Sequence, residues 1–271
     1  MGESFMKFSN LHTHTTYSDG KGTVRENIES AIKKNMISLG FSDHAYTACD
    51  ESYCMMLSDY EKYCKEIRAL AEEYKNDIPI FVGIEKDYYS EIEKGMFDYV
   101  LASVHYIVKN GVCYPMDCSA ADQIKCRDEA FGGNMLDMAK RYYELVVEQA
   151  AACNPDVIGH FDVIDKFSIM PEDSDEYIRI TEEALTETFK HCKRFEINTG
   201  AISRGYRKIP YPAFHLLELL HKLGGEIVIN SDSHHPDNLD FYFCESAKIA
   251  KKAGFETHTV LTPNGFEKIK F

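Results

Sequence analysis

Short apolar segments alternate with longer amphipathic segments along most of this chain. The short segments have the length and composition of buried strands, and the longer ones carry apolar residues at helical spacing. Thr23 with Glu26 and Ser58 with Glu61 form capping-box patterns that predict two helix starts. Strands are predicted at 8–11, 38–41, 80–84, 99–102, 157–158, 195–197 and 227–229. Further helices are predicted at 134–151, 175–191 and 213–223.

About seven strand–helix units in one chain favour an α/β fold with a closed parallel barrel, or failing that an open doubly wound sheet. The length of 271 residues suits one barrel-sized domain. We find no internal repeat, low-complexity tract or Pro/Gly-rich linker, so we expect a single domain over residues 1–271. The longest irregular segments are predicted at 113–133 and at 46–57, and the second is a candidate lid over a site.

Charge and composition narrow the possible partners. The chain has 44 acidic and 30 basic residues, a formal charge of −14, and no basic segment interleaved with aromatic residues. Such a surface repels a polyanion, so we expect no nucleic-acid partner. No apolar run approaches the roughly 20 residues that cross a bilayer, and the first ten residues lack a leader-like pattern. We therefore expect neither a membrane segment nor export. Because the chain is acidic, an anionic substrate would need positive charge in its binding site, and bound metal would supply it.

The nine cysteines are scattered and never form a C-x-x-C pair. A structural zinc site usually has that spacing, which makes one improbable here. We predict reduced thiols in a cytoplasmic protein and assign the cysteines no function.

Imidazole, carboxylate or amide side chains follow each predicted strand. The carboxyl ends of parallel strands converge on one face of a barrel, where active sites form. Taken singly, each of these residues has an ordinary explanation, such as a surface His-x-His pair or a polar turn at 231–234. Their recurrence after successive strands favours one shared metal site over the ordinary explanations. The residues are His12, His14, Asp19, Asp43, His44, Glu85, His105, His160, Asp162, Asn198, Asp232 and His234, with His235 beside the last.

The number of candidate ligands indicates more than one metal ion. A mononuclear catalytic zinc needs three protein ligands, whereas at least nine are available here, enough for two or three ions. Mixed imidazole and carboxylate ligands without thiolate suit Zn²⁺, Mn²⁺ or Fe²⁺. Such a cluster generates hydroxide at neutral pH and holds the attacking and leaving oxygens of an in-line displacement. Phosphate ester hydrolysis is the chemistry that this site would serve. His191, His215, His221 and His258 lie outside the pattern and are predicted to be surface or core residues.

Eight short blocks of the sequence resemble the polymerase and histidinol phosphatase (PHP) superfamily, and most closely its histidinol-phosphatase branch. They occur in family order over nearly the whole chain, which makes the resemblance far more specific than one motif would. The blocks are Leu11-His12-Thr13-His14-Thr15, Gly40-Phe41-Ser42-Asp43-His44, Gly83-Ile84-Glu85-Lys86-Asp87-Tyr88, Phe97-Asp98-Tyr99-Val100, Ser103-Val104-His105, Ile158-Gly159-His160-Phe161-Asp162, Glu196-Ile197-Asn198-Thr199-Gly200 and Ser231-Asp232-Ser233-His234.

The resemblance implies a distorted (β/α)7 barrel with three divalent metal ions at its carboxyl end. One ion would be held by His12, His14, Glu85 and Asp232. Glu85 would bridge to a second ion, completed by His105 and His160. The third would be held by Asp19, His44 and His234. The resemblance also implies catalytic roles for Asp19, His44, Glu85, His234 and Arg204.

The implied reaction is hydrolysis of L-histidinol phosphate to L-histidinol and phosphate, in histidine biosynthesis, by attack of a metal-activated hydroxide on phosphorus. Arg204, in the segment 199–205, matches the arginine that binds phosphate in the family, and guanidinium suits paired phosphate oxygens. Many relatives carry a second arginine after the His160 block, where this chain has the segment 163–167. Lys166 and Arg207 are the candidates to replace it.

Three alternatives stay open. A PHP phosphoesterase for another small phosphate ester or a nucleotide would share every ligand. A metal-dependent amidohydrolase also uses His-x-His on a barrel, but it offers no account of Asp19, His44 and Glu85 together. A non-catalytic metal-binding protein would hold metal and release no phosphate. The sequence does not predict the oligomeric state.

Overall fold

The structure of the protein is a computed structural model that describes residues 6–271. Its main sheet has seven parallel strands, which follow one another in chain order. The strands are β1 (Ser9–Asn10), β2 (Ser38–Phe41), β3 (Ile80–Asp87), β4 (Tyr99–Ser103), β5 (Tyr106–Lys109), β6 (Val112–Pro115), β7 (Val157–Ile158), β8 (Arg194–Asn198), β9 (Glu226–Asn230), β10 (Thr257–Thr262) and β11 (Gly265–Lys270). The order of strands in the sheet is β1-β2-β3-β4-β7-β8-β9. Two antiparallel hairpins, β5–β6 and β10–β11, lie outside this sheet.

The first and last strands of the sheet meet beyond their carboxyl ends and nearly close a barrel. Thr13 forms a parallel bridge with Ser233. The amide of His14 donates to the carbonyl of Ser233 at 2.9 Å, and the amide of Ser233 donates to the carbonyl of His12 at 3.1 Å. The predicted seven-stranded α/β barrel is confirmed, and all seven predicted strands are the strands of this sheet.

The helices lie between the strands and cover the outside of the barrel. The capping box at Thr23 is confirmed, because its hydroxyl accepts from the Glu26 amide at 3.2 Å and its amide donates to the Glu26 carboxylate at 2.8 Å. The helices are α1 (Val24–Lys33), α2 (Tyr60–Glu73), α3 (Ala120–Phe131), α4 (Met135–Cys153), α5 (Asp175–Phe189), α6 (Gly200–Ser203), α7 (Phe214–Lys222) and α8 (Phe243–Ala253).

Two local predictions are wrong. A turn of 3₁₀ helix, Leu57–Asp59, precedes α2, so Ser58 is already inside a helical turn and its hydroxyl caps nothing. The segment predicted as irregular at 113–133 contains most of β6 and the whole of α3. The helix α3 has a local start signal that the sequence argument missed, because the hydroxyl of Ser119 accepts from the amide of Asp122 at 3.1 Å.

Tyr99 fills the inside of the barrel below the carboxyl end. Its hydroxyl donates to the carbonyl of Leu11 at 2.6 Å, across the barrel from β4. Gly40 on β2 and Gly83 on β3 face its ring, and a Cβ at either position would collide with it. Leu261 of the β10–β11 hairpin packs into the same apolar cluster, and its carbonyl accepts from the Ser38 hydroxyl at the start of β2. Apolar packing therefore occupies the amino end, and polar groups collect at the carboxyl end.

A disulfide joins Cys49, in the loop after β2, to Cys113 on β6. The two cysteines are 64 positions apart in sequence, but the fold brings their Cα atoms to 5.6 Å, which is within bonding range. Within residues 6–271 the other seven cysteines are free. The prediction that all cysteines are reduced thiols is therefore wrong for this pair.

We expect the oxidised protein, unfolded in guanidinium without reductant, to show seven reactive thiols, because the Cys49–Cys113 pair is bonded. After reduction the count should rise to nine. A thiol-specific chromophore measures both values. The Cys49→Ser variant provides the control, since its eight remaining cysteines, nine less one, should all react without reductant. Nine thiols in the untreated wild-type protein would contradict the disulfide.

None of the helices in residues 6–271 has both the length and the apolar character needed to cross a membrane. The prediction about a leader concerns the first ten residues, of which 1–5 lie outside the described part of the chain. That prediction and the cytoplasmic location stay predictions.

Candidate metal centre and active site

The nine residues that the sequence predicts as metal ligands lie together at the carboxyl end of the barrel. Each lies in or just after a strand of the sheet, or in the loop that follows the strand. They form four overlapping groups whose ligand atoms all lie within 4.8 Å of one another. The groups are His14, Asp19, His44 and His234; His12, His14 and Asp232; His12, Glu85 and His160; and His44, Glu85 and His105.

Glu85 is the centre of this arrangement. It projects from β3 and is fully buried, with ring nitrogens around both carboxylate oxygens. Its Oε2 lies 2.9 Å from His44 Nδ1 and 3.2 Å from His12 Nε2. Its Oε1 lies 3.0 Å from His160 Nε2 and 3.3 Å from His105 Nε2. A carboxylate with two oxygens facing separate sets of imidazoles has the geometry to bridge two cations.

Asp19 lies at the outer side of the cluster, where its carboxylate is close to three of the imidazoles. Its carboxylate lies 3.1 Å from His234 Nε2 and 3.7 Å from His44 Nε2. His14 stacks between these two imidazoles, with ring centroids 4.2 Å from each. Its Nδ1 is also 3.9 Å from Asp19, so His14 reaches the outer group as well as Asp232, which lies 3.3 Å from its Nε2.

Several buried polar atoms in the cluster have no hydrogen-bond partner among the described residues. Those that point into the cluster are Nε2 of His12, both ring nitrogens of His14 and Oε2 of Glu85. Unpaired buried polar atoms are costly unless something else satisfies them. Lone pairs that converge on shared spaces are what a bound cation requires, and none of the groups found in the described chain contains a thiolate. The residues therefore fit divalent metal ions.

The pKa values of the ligand side chains are displaced in different directions. Burial lowers the pKa of His12, His44 and His105, but the neighbouring carboxylates outweigh it and raise these pKa values, so a bound cation would displace their protons. Burial, together with the neighbouring His234 and His44, lowers the pKa of His14 to about 3, so this imidazole is neutral at physiological pH. Burial alone would raise the pKa of Glu85, but the imidazoles of His12 and His44 outweigh it and hold that pKa well below its usual value. Neutral imidazole and ionised carboxylate are the forms that coordinate a cation.

Glu196, a residue that the sequence argument missed, holds the ring of His12. It lies on β8, fully buried, and its carboxylate accepts from Nδ1 of His12 at 2.9 Å and from the Nδ2 amide of Asn230 at 2.9 Å. The Nδ2 amide of Asn198 donates to it at 2.7 Å, and so does the main-chain amide of His160. A carboxylate only accepts, so Nδ1 of His12 carries a proton, and Nε2 is the nitrogen that faces the cluster. The sequence does contain a signal for Glu196. It stands two residues before Asn198, so both side chains lie on the same face of a strand.

Replacing Glu196 by Gln is expected to weaken metal affinity by about ten- to a hundredfold, because the amide no longer fixes the protonation and orientation of His12. Competition with a chromophoric chelator measures the affinity. Activity should return when excess metal is added. Glu187→Gln, on the exposed face of α5, is the matched control. Unchanged metal affinity in Glu196→Gln would show that Glu196 does not position this ligand.

Three other acidic or imidazole residues from the sequence pattern lie outside the metal groups. Asp43 accepts from the hydroxyls of Thr15 and Ser18 at 3.0 and 2.6 Å and so shapes the loop that carries Asp19. Asp162 accepts from the amide of Ala213 at 2.7 Å. His235 is 49% exposed and lies beside Asp237, which leaves His234 as the ligand candidate of the pair.

Two of the three predicted cations face the metal groups. Arg204 donates to the Asp232 carboxylate at 2.9 Å and to its main-chain carbonyl at 3.1 Å. Lys166 reaches the same cavity, and its ammonium donates to the carbonyl of Asp117 at 2.6 Å. Arg207 is not brought there, because it forms a two-pronged pair with Glu172 at 3.0 and 2.8 Å and lies outside the cavity lining.

The metal groups form one wall of a cavity of about 360 Å³. Arg204 and Lys166 stand at its side, and the loop 46–57 contributes Asp50, Ser52 and Tyr53 to it. The ring of Tyr53 packs edge-on against His44, with centroids 4.7 Å apart. The loop named as a candidate lid thus forms a wall of the cavity. The size suits a small molecule, and Arg204 and Lys166 supply positive charge for an anionic group on it.

A parallel barrel with imidazoles and carboxylates clustered at its carboxyl end places this protein among metal-binding α/β barrels. The PHP domain family model matches residues 10–200, and the chain belongs to that family. A protein named "Probable histidinol-phosphatase" from Deinococcus radiodurans is 30% identical over 268 residues, covering 93% of this chain and 95% of that protein.

Two further proteins are similar to this chain. The "Histidinol-phosphatase" of Bacillus subtilis is 22% identical over 256 residues, covering 86% of this chain and 95% of that protein. The crystal structure of the histidinol phosphate phosphatase of Lactococcus lactis, complexed with zinc, L-histidinol and phosphate, superposes with a TM-score of 0.69. The alignment has 22% identity and covers 97% of this chain and 99% of that one. This likeness shows the shared barrel fold.

Proposed function

We infer that this protein is a metal-dependent phosphomonoesterase that hydrolyses L-histidinol phosphate to L-histidinol and phosphate. The observation that carries the inference is the cluster of nine ligand side chains, six of which line one small cavity together with Arg204 and Lys166. The relatives named histidinol-phosphatase, aligned over nearly the whole chain, support the choice of ester. The reaction belongs to histidine biosynthesis, and we keep the cytoplasm as its expected location.

We propose that the nine ligands hold three divalent ions, zinc, manganese or iron. One set is His12, His14, Glu85 and Asp232. The second shares Glu85 and adds His105 and His160. The third is Asp19, His44 and His234. When bound, such ions activate water at neutral pH and neutralise charge on phosphoryl oxygens.

Arg204 and Lys166 bind the phosphoryl group in this proposal. The guanidinium of Arg204 is held in place by Asp232, so its remaining N–H groups are oriented before substrate arrives. Paired donors from a planar guanidinium match two phosphate oxygens. Lys166 adds a second positive charge without that planar geometry. Together they orient the ester and stabilise the charge that develops as the bond to the leaving group breaks.

The test is phosphate release by metal-reconstituted protein from L-histidinol phosphate, beside sugar phosphates, nucleotides and an aryl phosphate. We expect a strong preference for L-histidinol phosphate that is lost with chelator and in His105→Ala. His191→Ala, which changes an exposed histidine away from the cluster, should keep full activity.

The other outcomes separate the alternatives. Turnover of different esters with L-histidinol phosphate ignored would keep the phosphoesterase and overturn the substrate. Metal content without phosphate release from any ester would favour an amidohydrolase or a non-catalytic metal-binding protein.

A further inference from the structure

One wall of the active-site cavity carries groups that neither metal binding nor phosphate binding uses. Tyr106 and Asp117 reach it from β5 and from the segment after β6, and Tyr53 and Asp50 reach it from the loop 46–57. Neither Asp50 nor Asp117 belongs to a metal group found in the described chain. The rings of Tyr53 and Tyr106 lie 6.3 Å apart. The wall is therefore aromatic and negatively charged.

Asp117 has a carboxylate with capacity for another cation. Its side chain is 27% exposed, and Lys166 Nζ lies 3.7 Å from its Oδ2, beyond hydrogen-bond distance. The hydrogen bond of Lys166 goes to the main-chain oxygen of Asp117 instead. Burial would raise the pKa of Asp117, but Lys166 and His105 outweigh it and lower that pKa, so the carboxylate stays ionised.

Lys166 marks where an anion would sit beside that carboxylate. The lysine side chain is 9% exposed, and its ammonium makes one hydrogen bond, to Asp117, among the contacts of the described chain. An ammonium has three N–H donors, so two remain for a ligand. Cation and carboxylate thus stand 3.7 Å apart on one cavity wall.

A carboxylate in a phosphate-binding cavity repels a simple phosphate ester, since like charges in a partly buried site raise the free energy of binding. The carboxylate attracts the ester instead when the ester also carries a positively charged group. Adjacent groups of opposite sign are complementary to a ligand whose phosphate and ammonium are separated by a few bonds. A phosphate ester of a 2-amino alcohol has that arrangement, and L-histidinol phosphate is one.

We propose that Asp117 is a specificity-determining residue that binds the ammonium of an amino-alcohol phosphate and so selects phosphate esters that carry an ammonium group over those that do not. This inference rests on the proposed phosphatase function and adds the residue that recognises the alcohol part. The Tyr53 and Tyr106 rings supply the apolar surface beside it.

The experiment compares wild type with Asp117→Asn on three esters: L-histidinol phosphate, O-phosphoethanolamine and p-nitrophenyl phosphate. We expect KM for the two esters that carry an ammonium group to rise about ten- to a hundredfold, because a hydrogen bond to a charged group is lost. Their kcat should change little. For p-nitrophenyl phosphate, kcat/KM should stay the same or rise, since Lys166 is held by the main chain of Asp117 and keeps its place. Asp173→Asn, at an exposed position, is the matched control.

The possible outcomes distinguish a failure of this inference from a failure of the proposed function. Equal losses on all three esters, or no change on any, would overturn the role of Asp117 while leaving the phosphatase in place. If wild type ignores L-histidinol phosphate but Asp117→Asn still impairs O-phosphoethanolamine selectively, the substrate is wrong and the role of Asp117 stands. Wild-type turnover of the aryl ester alone would overturn both.

Discussion

Replacement of Glu85 by Gln is expected to lower kcat/KM for L-histidinol phosphate by about a thousandfold or more. Glu85 faces four imidazoles at 2.9 to 3.3 Å and is the one side chain shared by two of the proposed ion sites. The amide has nearly the same shape but removes the negative charge on which both sites depend. Charge stabilisation by metal ions contributes several kcal/mol to such a transition state, and each 1.36 kcal/mol is tenfold in rate.

Steady-state phosphate release and metal analysis after dialysis would be measured together on Glu85→Gln. We expect the variant to hold less metal than wild type. Glu93→Gln is the control, because Glu93 is exposed and lies in the segment that follows the end of β3 at Asp87. Circular dichroism of both variants reports whether the fold persists. Full activity with full metal content in Glu85→Gln would show that this carboxylate does not bridge the sites.

The second large effect is expected at Arg204. Arg204→Lys should lower kcat/KM about a hundredfold, because an ammonium cannot reproduce paired hydrogen bonds to two phosphate oxygens. It also cannot keep both bonds that Arg204 makes to Asp232, at 2.9 and 3.1 Å. We expect kcat to decrease, and we expect inorganic phosphate, the product, to inhibit the variant more weakly.

Kinetics on L-histidinol phosphate, with inorganic phosphate as inhibitor, would measure this change. Metal analysis separates a direct role in phosphate binding from an effect through Asp232, since the direct role predicts unchanged metal content. Arg179→Lys, at an exposed position on α5, serves as control. Phosphate inhibition equal to that of wild type would exclude Arg204 from phosphate binding.

The barrel was predictable because strands covered on both faces are apolar throughout and stand out against amphipathic helices. The predicted strand at 80–84 is the first part of β3, and the one at 157–158 matches β7 in full. The ligand positions followed from the same pattern, since polar residues directly after buried strands point into the carboxyl end of the barrel. Glu85 fitted this rule although β3 continues beyond it to Asp87.

Other features were hidden because they depend on distant contacts. Glu196 looks like an ordinary polar residue in a strand until the fold places it against His12. The Cys49–Cys113 bond joins residues 64 positions apart, and no local spacing pattern predicts it. Arg207 and Lys166 were equivalent candidates in sequence, and only packing separated them, because Glu172 pairs with Arg207 while Lys166 enters the cavity.

The amino-acid sequence by itself determined the order of strands and helices, the α/β barrel class and the set of side chains able to bind metal. These follow from local rules, namely burial period, helix capping and the position of polar residues after each strand. Only the tertiary structure decided which carboxylates meet which imidazoles, which cation enters the cavity and that Asp117 stands beside Lys166. Such choices depend on distances between segments far apart in the chain, and those distances are set by how the whole barrel packs and closes between Thr13 and Ser233.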